Sequence, residues 1–423
     1  MSVHLAYGKN GLDIDVPAER TTVVEPHYPP ALADPQAVLR KALADPIGSR
    51  PLRDLVGARD TVGIVISDLT RPMPTADVVR AVMAELPHVA PENVTIFIGL
   101  GTHRLMTEKE IAGVLGDLAG RYRVSQTECT DSAAFATVGR SKDGNTIRFV
   151  KDFLSCSVRI ITGLMEPHLF AGISGGPKGI LPGLAHMDTI IANHSAAHLL
   201  HPKATYGVTH GNPLWEEIHE GALMARPTFI VNVTVNKEKA ITNVFAGDID
   251  AAFERGARFV YETAMVAVPQ RYDVVVTTNS GYPLDLNLYQ AVKGMTAAAP
   301  IVKPGGAIIT AAECWDGIPY GSRMEAVLRQ VKTPDEIIAG IKDGRYAGMD
   351  QWQLLLYAQI LQKGPVYLKT SHLNDDDVRA CLAIPCHDVG ATLRSLLERY
   401  GPDSKACILP EGPQTIPYVA DRA

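Results

Sequence analysis

The sequence predicts an α/β protein: two α/β domains with mostly parallel sheets and an active site in the cleft between them. Three observations carry that expectation. Short β-branched runs alternate with helical stretches along the chain. The runs are apolar almost throughout, as strands covered on both faces are, rather than alternating with polar residues. At 423 residues, the chain is also too long for one ordinary core.

Taken in order, Val62–Ser67, Val94–Ile98, Val158–Thr162, Thr228–Val235, Asp273–Thr277 and Ala307–Ala311 read as buried strands bounded by Gly, Asp and Pro. Helices are expected over Thr75–Leu86, Glu108–Leu115 and Ile249–Val266. A break near Pro269-Gln-Arg-Tyr272 divides an N-terminal domain (1–268) from a C-terminal domain (269–400). The last residues, 401–423, are expected to pack back on the first domain. No internal repeat and no low-complexity segment is visible.

Composition narrows the function classes. Hydrophobic residues at 46% and charged residues at 20% describe a globular chain with ample material to bury. A formal net charge of −6 offers no electrostatic case for nucleic acid, and no block of like charge forms a tail or a membrane-binding patch. The N-terminal residues lack the apolar core of a signal peptide, and no run of eighteen apolar residues occurs, so the expectation is a cytoplasmic protein with no membrane span. The six cysteines form no CxxC pair and are expected as free thiols.

The polar motifs cluster at strand ends. Asp68-Leu-Thr-Arg71 follows the first run, Gly99-Leu-Gly-Thr-His103 the second, and His168 the third. In open α/β sheets ligands bind beyond the carboxyl ends of the strands, so three separate motifs converge on one predicted edge. Gly99-Leu-Gly-Thr-His-Arg104 has arginine where a dinucleotide fingerprint needs its third glycine, which excludes a standard Rossmann site. The alternative for His103 is a plain strand-to-helix turn. Ser174-Gly-Gly-Pro-Lys-Gly179 lacks Walker A spacing, so ATP chemistry is not expected, whereas a Schiff-base role for Lys178 is chemically open.

Six histidines lie between 186 and 219. His194 and His198, one helical turn apart, have a spacing that suits zinc, without the glutamate of the HExxH pattern. For His198, His201 and His219 the reading is an exposed helix face. Arg71 presents a planar fork suited to a carboxylate or a carbonyl oxygen, with an ion pair to Asp68 as the structural alternative. Tyr289, Gln290 and Lys293 fall within about one helical turn, where an amide and an ammonium can converge on one carboxylate; Asp285 is placed to cap that helix.

Together, Asp68-Leu-Thr-Arg-Pro72, Gly99-Leu-Gly-Thr-His103, the stretch Glu166–Gly183 around Lys178, His194, Tyr289-Gln-Ala-Val-Lys293 and Trp352 in Asp350-Gln-Trp-Gln353 resemble, in this order, the nickel-pincer lactate racemase family. The resemblance runs over nearly the whole chain. It implies a racemase or epimerase acting at C2 of a 2-hydroxy acid, lactate or a close analogue. The cofactor it implies is a nickel-pincer nucleotide, a pyridinium mononucleotide bound through a thioamide to Lys178, with His194 as the protein's ligand to nickel.

The resemblance further implies His103 and His168 as paired acid–base residues and Arg71 at the carbonyl oxygen. Gln290 and Lys293 would hold the substrate carboxylate, Tyr289 and Trp352 would wall the pocket, and Asp68, Leu69, Thr70, Arg71, Gly175, Gly176 and Pro177 would surround the cofactor. Hydride removal fits the difficulty of the reaction, because deprotonating C2 would set a second negative charge beside the carboxylate. The implied partners are the enzymes that carboxylate and sulfurate the nucleotide and insert nickel. Alternatives are a racemase of a larger acid such as malate, phenyllactate or an aldonate, a cofactor carrier without activity, and a pyridoxal or Schiff-base enzyme.

Overall fold

A computed structural model describes residues 1–420 of the chain; residues 421–423, the end of the expected tail segment, lie outside the described residues. The chain divides into two compact units. One comprises Tyr28–Thr263, and the other joins Met1–His27 to the segment that begins at Ala264.

In the Tyr28–Thr263 unit, a six-stranded sheet has the order Ile241–Gly247, Phe229–Val235, Val158–Leu164, Val62–Ser67, Val94–Gly99 and Arg123–Ser125. Every neighbouring pair is parallel except the first, which is antiparallel. Val62, Ile64, Val94, Ile96 and Ile160 are fully buried and share one core with Leu39, Leu43, Val78 and Val82 of the covering helices Pro35–Ala44 and Thr75–Glu85. Burial of each such side chain contributes about 1.5–3 kcal/mol, which is why these strands read as unbroken apolar runs. The helix Glu108–Leu115 starts where the sequence places it: Thr107 and Glu110 close a reciprocal capping box.

The other unit carries a parallel six-stranded sheet in the order Ile384–Pro385, Val366–Lys369, Val302–Ala311, Tyr272–Thr278, Ala406–Leu409 and Thr21–Val23. Two expectations are corrected here. The first 27 residues belong to this unit, because Thr21–Val23 forms its edge strand while Val3, Leu5, Tyr7, Ile14 and Val16 pack into its core. The tail joins the same unit: Ala406–Leu409 inserts beside Tyr272–Thr278, and Ile416–Val419 pairs with Met265–Val268. That second pairing also ends the helix from Ile249 at Ala264, two residues before the expected Val266. Neither swap shows in local sequence, since both depend on strands more than 130 residues apart. The six cysteines are unpaired and buried. Among the described residues no helix is long and apolar enough to cross a membrane.

Candidate functional site

In the Tyr28–Thr263 unit, the central strands Val62–Ser67, Val94–Gly99 and Val158–Leu164 end side by side, and the motifs emerge there. Asp68 is buried directly after the first strand. Its Oδ1 accepts from the Thr70 hydroxyl at 2.6 Å and the Thr70 amide at 3.2 Å, and its Oδ2 lies 2.7 Å from Nδ1 of His103, which follows the second strand. Burial pushes the Asp68 carboxyl up, but the bonds from His103 and Thr70 outweigh it and hold the group below the usual carboxylate range. A carboxylate partner puts the His103 proton on Nδ1 and leaves Nε2 as the basic nitrogen of the neutral ring.

His168 sits in a two-residue strand paired with Gly172–Ile173. Its Nδ1 accepts from the backbone N–H of Ala171 at 3.2 Å, the opposite arrangement from His103, so the neutral ring carries its proton on Nε2. Its ring meets Phe170 edge-on at 4.6 Å, and Phe170 meets His194 edge-on at 5.1 Å.

Lys178 lies in the short helical turn Gly176–Gly179, packed on the strand ends. Gly175 and Gly176 have φ of +81° and +49°, and a Cβ on Gly176 would come within 2.6 Å of Phe253, so only glycine fits this turn. Gly183 closes the loop against Gly101 through a 3.0 Å backbone bond. Although Lys178 as a residue is partly exposed, its amine is sequestered: desolvation, then the Arg71 guanidinium, pull its pKa down to about 7. Arg71 does not pair with Asp68, the alternative weighed from sequence; its Nε is 3.9 Å from Glu166, a long contact that leaves its charge felt at Lys178.

His194 caps the helix Met187–Asn193, and its Nδ1 faces the Ile190 carbonyl at 3.0 Å. Burial, and then the neighbouring Lys178, drop its pKa to about 3, so the ring is neutral with its lone pair on Nε2. The expected continuous helix through His194 and His198 is broken at Ser195, and His198 is buried rather than on an exposed face. His219 is half-buried, stacked on Trp215 at 5.0 Å and bonded to Asp250; His201 is exposed. Among the described residues, no group of three or more His, Cys, Asp or Glu is arranged to hold a metal by itself. Asp68, Thr70, Arg71, His103, Lys178 and His194 are thus linked by contacts or charge, with His168 joined through Phe170. Leu69 is exposed beside them.

The other unit carries its motif on the helix Leu288–Ala298. The Tyr289 hydroxyl accepts from Trp352 Nε1 at 2.9 Å, and burial pushes its pKa up to about 12, so it remains a neutral phenol. Gln290 and Lys293 are half-buried on the same helix. Asn287 caps this helix through the Gln290 amide, whereas Asp285 instead accepts from the Gly8 and Glu313 amides.

Two residues escaped the sequence reading. Asn232 is fully buried in the strand Phe229–Val235 and its Oδ1 holds the Gly176 amide at 3.1 Å, pinning the lysine loop. Glu217 is fully buried on the helix Pro213–Met224. A lone amide in an apolar strand and a carboxylate on the apolar face of a helix were the available signals.

Comparison with known proteins matches residues 7–207 to the lactate racemase N-terminal domain and residues 267–416 to the lactate racemase C-terminal domain. A lactate racemase of Thermoanaerobacterium thermosaccharolyticum is 33% identical over 98% of this chain and 99% of its own. One from Lactiplantibacillus plantarum is 34% identical over 89% of each. The solved apoprotein of the Thermoanaerobacterium enzyme superimposes with a TM-score of 0.91 at 32% identity, covering 99% of this chain and all of that one. A Thermotoga maritima protein shares the fold, with a TM-score of 0.67 at 18% identity over 91% of this chain and 98% of that one.

Proposed function

Since the chain belongs to the lactate racemase family, an isomerase family, we propose that it interconverts the enantiomers of lactate, or of a close 2-hydroxy acid, on a nickel-pincer nucleotide tethered to Lys178. When bound, that cofactor supplies a reversible acceptor for the C2 hydrogen as hydride. The observation that carries the reading is a sequestered lysine in a glycine-built turn, half unprotonated near neutrality, whose charge is felt by a neutral, buried imidazole.

The donor set fits such a group. An amine with a pKa of about 7 is nucleophilic near neutrality, as a thioamide attachment requires. His194, its Nδ1–H engaged by Ile190, offers Nε2 in the form in which imidazole binds nickel. A single protein ligand suffices where the nucleotide brings the remaining donors. Lys178 and His194 would hold the group, with Asp68, Leu69, Thr70, Gly175, Gly176 and Pro177 around it.

The chain's own residues then handle the substrate. His103 takes the hydroxyl proton at Nε2, with Asp68 fixing its tautomer and steadying the imidazolium that forms. Arg71 polarises the carbonyl oxygen of the planar 2-keto acid. On the other face His168 would give a proton from Nε2 to that oxygen as the hydrogen returns to C2, which requires the ring to be an imidazolium with Nδ1 protonated and the Ala171 amide released. In the reverse direction it takes the hydroxyl proton at Nε2 while His103 gives its own back. Gln290 and Lys293 bind the substrate carboxylate, and Tyr289 and Trp352 form a neutral, rigid wall. A carrier without activity has no use for an aspartate-oriented histidine, which favours the enzyme reading.

The test is intact and peptide mass analysis of protein produced alongside the cofactor-building enzymes. An adduct on Lys178 with one bound nickel is expected; an adduct on another lysine, or none in a protein that still racemises lactate, would reject the tether.

A further inference from the structure

His194 lies at a break between two helices of seven and four residues, Met187–Asn193 and Ala196–Leu199. Helices this short do not hold their own geometry, so the orientation of His194 depends on outside support. The support is a buried polar network. Glu217, 0% exposed, accepts from the Ser141 hydroxyl at 2.6 Å, Asn145 Nδ2 at 2.7 Å and Asn193 Nδ2 at 3.0 Å. Asn193 Nδ2 also donates to the Leu214 carbonyl at 3.1 Å. The Asn193 carbonyl, half of the peptide group that carries the His194 nitrogen, accepts from His198 Nδ1 at 2.9 Å. His198 Nε2 lies 3.2 Å from Asp143, and its Nδ1 3.7 Å from Glu217.

The Asn193–His194 peptide is therefore gripped twice, at the Asn193 side chain by Glu217 and at the carbonyl by His198. Ser141, Asp143 and Asn145 belong to the tip of the hairpin between Phe135–Arg140 and Thr146–Val150. That tip is in turn fastened to the Glu217 helix by Lys142, through Glu216 and Glu220. A buried carboxylate is costly unless its partners are fully formed, and here they converge on the residue before His194.

We propose that His198 and Glu217 are positioning residues for His194, fixing the peptide from which the nickel-binding imidazole projects. This rests on His194 being the nickel ligand, as proposed above. His198 is thereby a support for the ligand rather than a second ligand, since both its nitrogens face acceptors within the network. Outer partners of metal-binding histidines change metal affinity by about 10–100-fold when removed.

The experiment measures nickel release from cofactor-loaded protein into a chelator, followed by the loss of the cofactor's absorbance. Thermal melting and the mass of the Lys178 adduct are recorded for each variant. His198→Ala is expected to release nickel about tenfold faster or more, with the adduct retained and at a temperature well below melting. A merely structural role would lower the melting point and leave release unchanged. A rise of less than about threefold overturns the proposal. If His198→Ala does not fold, the milder Glu217→Gln, whose amide can still serve Ser141 and Asn145, decides on the same criterion. His194→Ala separates the two readings: if it releases nickel at the parent rate, the ligand assignment has failed. If it releases nickel fast while His198→Ala does not, only the positioning role has failed.

Discussion

The Lys178 amine provides the sharpest chemical prediction. With a pKa of about 7, half of the amine is unprotonated at pH 7. An ordinary lysine, titrating near 10.4, is unprotonated in only roughly four molecules per ten thousand at that pH. The reactive fraction at Lys178 is thus on the order of a thousand times larger, and its lower basicity takes back part of that gain in nucleophilicity. Apoprotein treated with trace labelled acetic anhydride, then digested and read peptide by peptide, should show Lys178 acetylation rising to a plateau with a midpoint near pH 7, whereas a lysine of ordinary pKa continues to climb beyond pH 9. The sign follows from the causes: burial and Arg71 both disfavour the ammonium, so Arg71→Met should move the midpoint upward. A Lys178 profile parallel to that of the surface lysines, or one that Arg71→Met leaves unmoved, would refute the electrostatic account of the tether.

Four other outcomes are expected. Asp68→Asn should lower racemisation from either enantiomer by about 10²–10⁴-fold through the loss of an oriented base; a loss under tenfold in steady-state kinetics would count against the Asp68–His103 pair. His103→Ala and His168→Ala should each fall in the same range in both directions, checked by chiral chromatography from each pure enantiomer, because a full turnover in the proposed mechanism uses both groups. Lys293→Met should raise KM for lactate far more than it lowers kcat, and the reverse pattern would argue against a carboxylate anchor. Gly176→Ala places a Cβ 2.6 Å from Phe253 at φ +49°, and thermal unfolding should show a loss of more than about 1 kcal/mol.

The parallel sheets were legible because their strands are buried on both faces, so Val62–Ser67 and Val94–Ile98 appear as apolar runs that end at polar motifs. His103 and Asp68 were recognisable as strand-end residues, but their bond was not, since 35 residues separate them. The unit division was misplaced for a related reason: Thr21–Val23 and Ala406–Leu409 find each other across almost the whole chain, and nothing local marks the pairing. The helix from Ile249 is shorter than its sequence suggests because Met265–Val268 becomes a strand only through its distant partner at Ile416–Val419. Asn232 and Glu217 passed unnoticed because a buried polar residue gains meaning from what it holds, here the Gly176 amide and Asn193.

In the proposed reaction the hydrogen at C2 leaves and returns as hydride rather than as a proton. Racemisation of unlabelled lactate by the cofactor-loaded protein in D₂O tests it directly, with the opposite enantiomer isolated and its C2 position read by proton NMR and mass. Hydride transfer predicts that the product enantiomer keeps protium at C2; deuterium at C2 in each newly formed molecule would mean proton abstraction and would contradict the account.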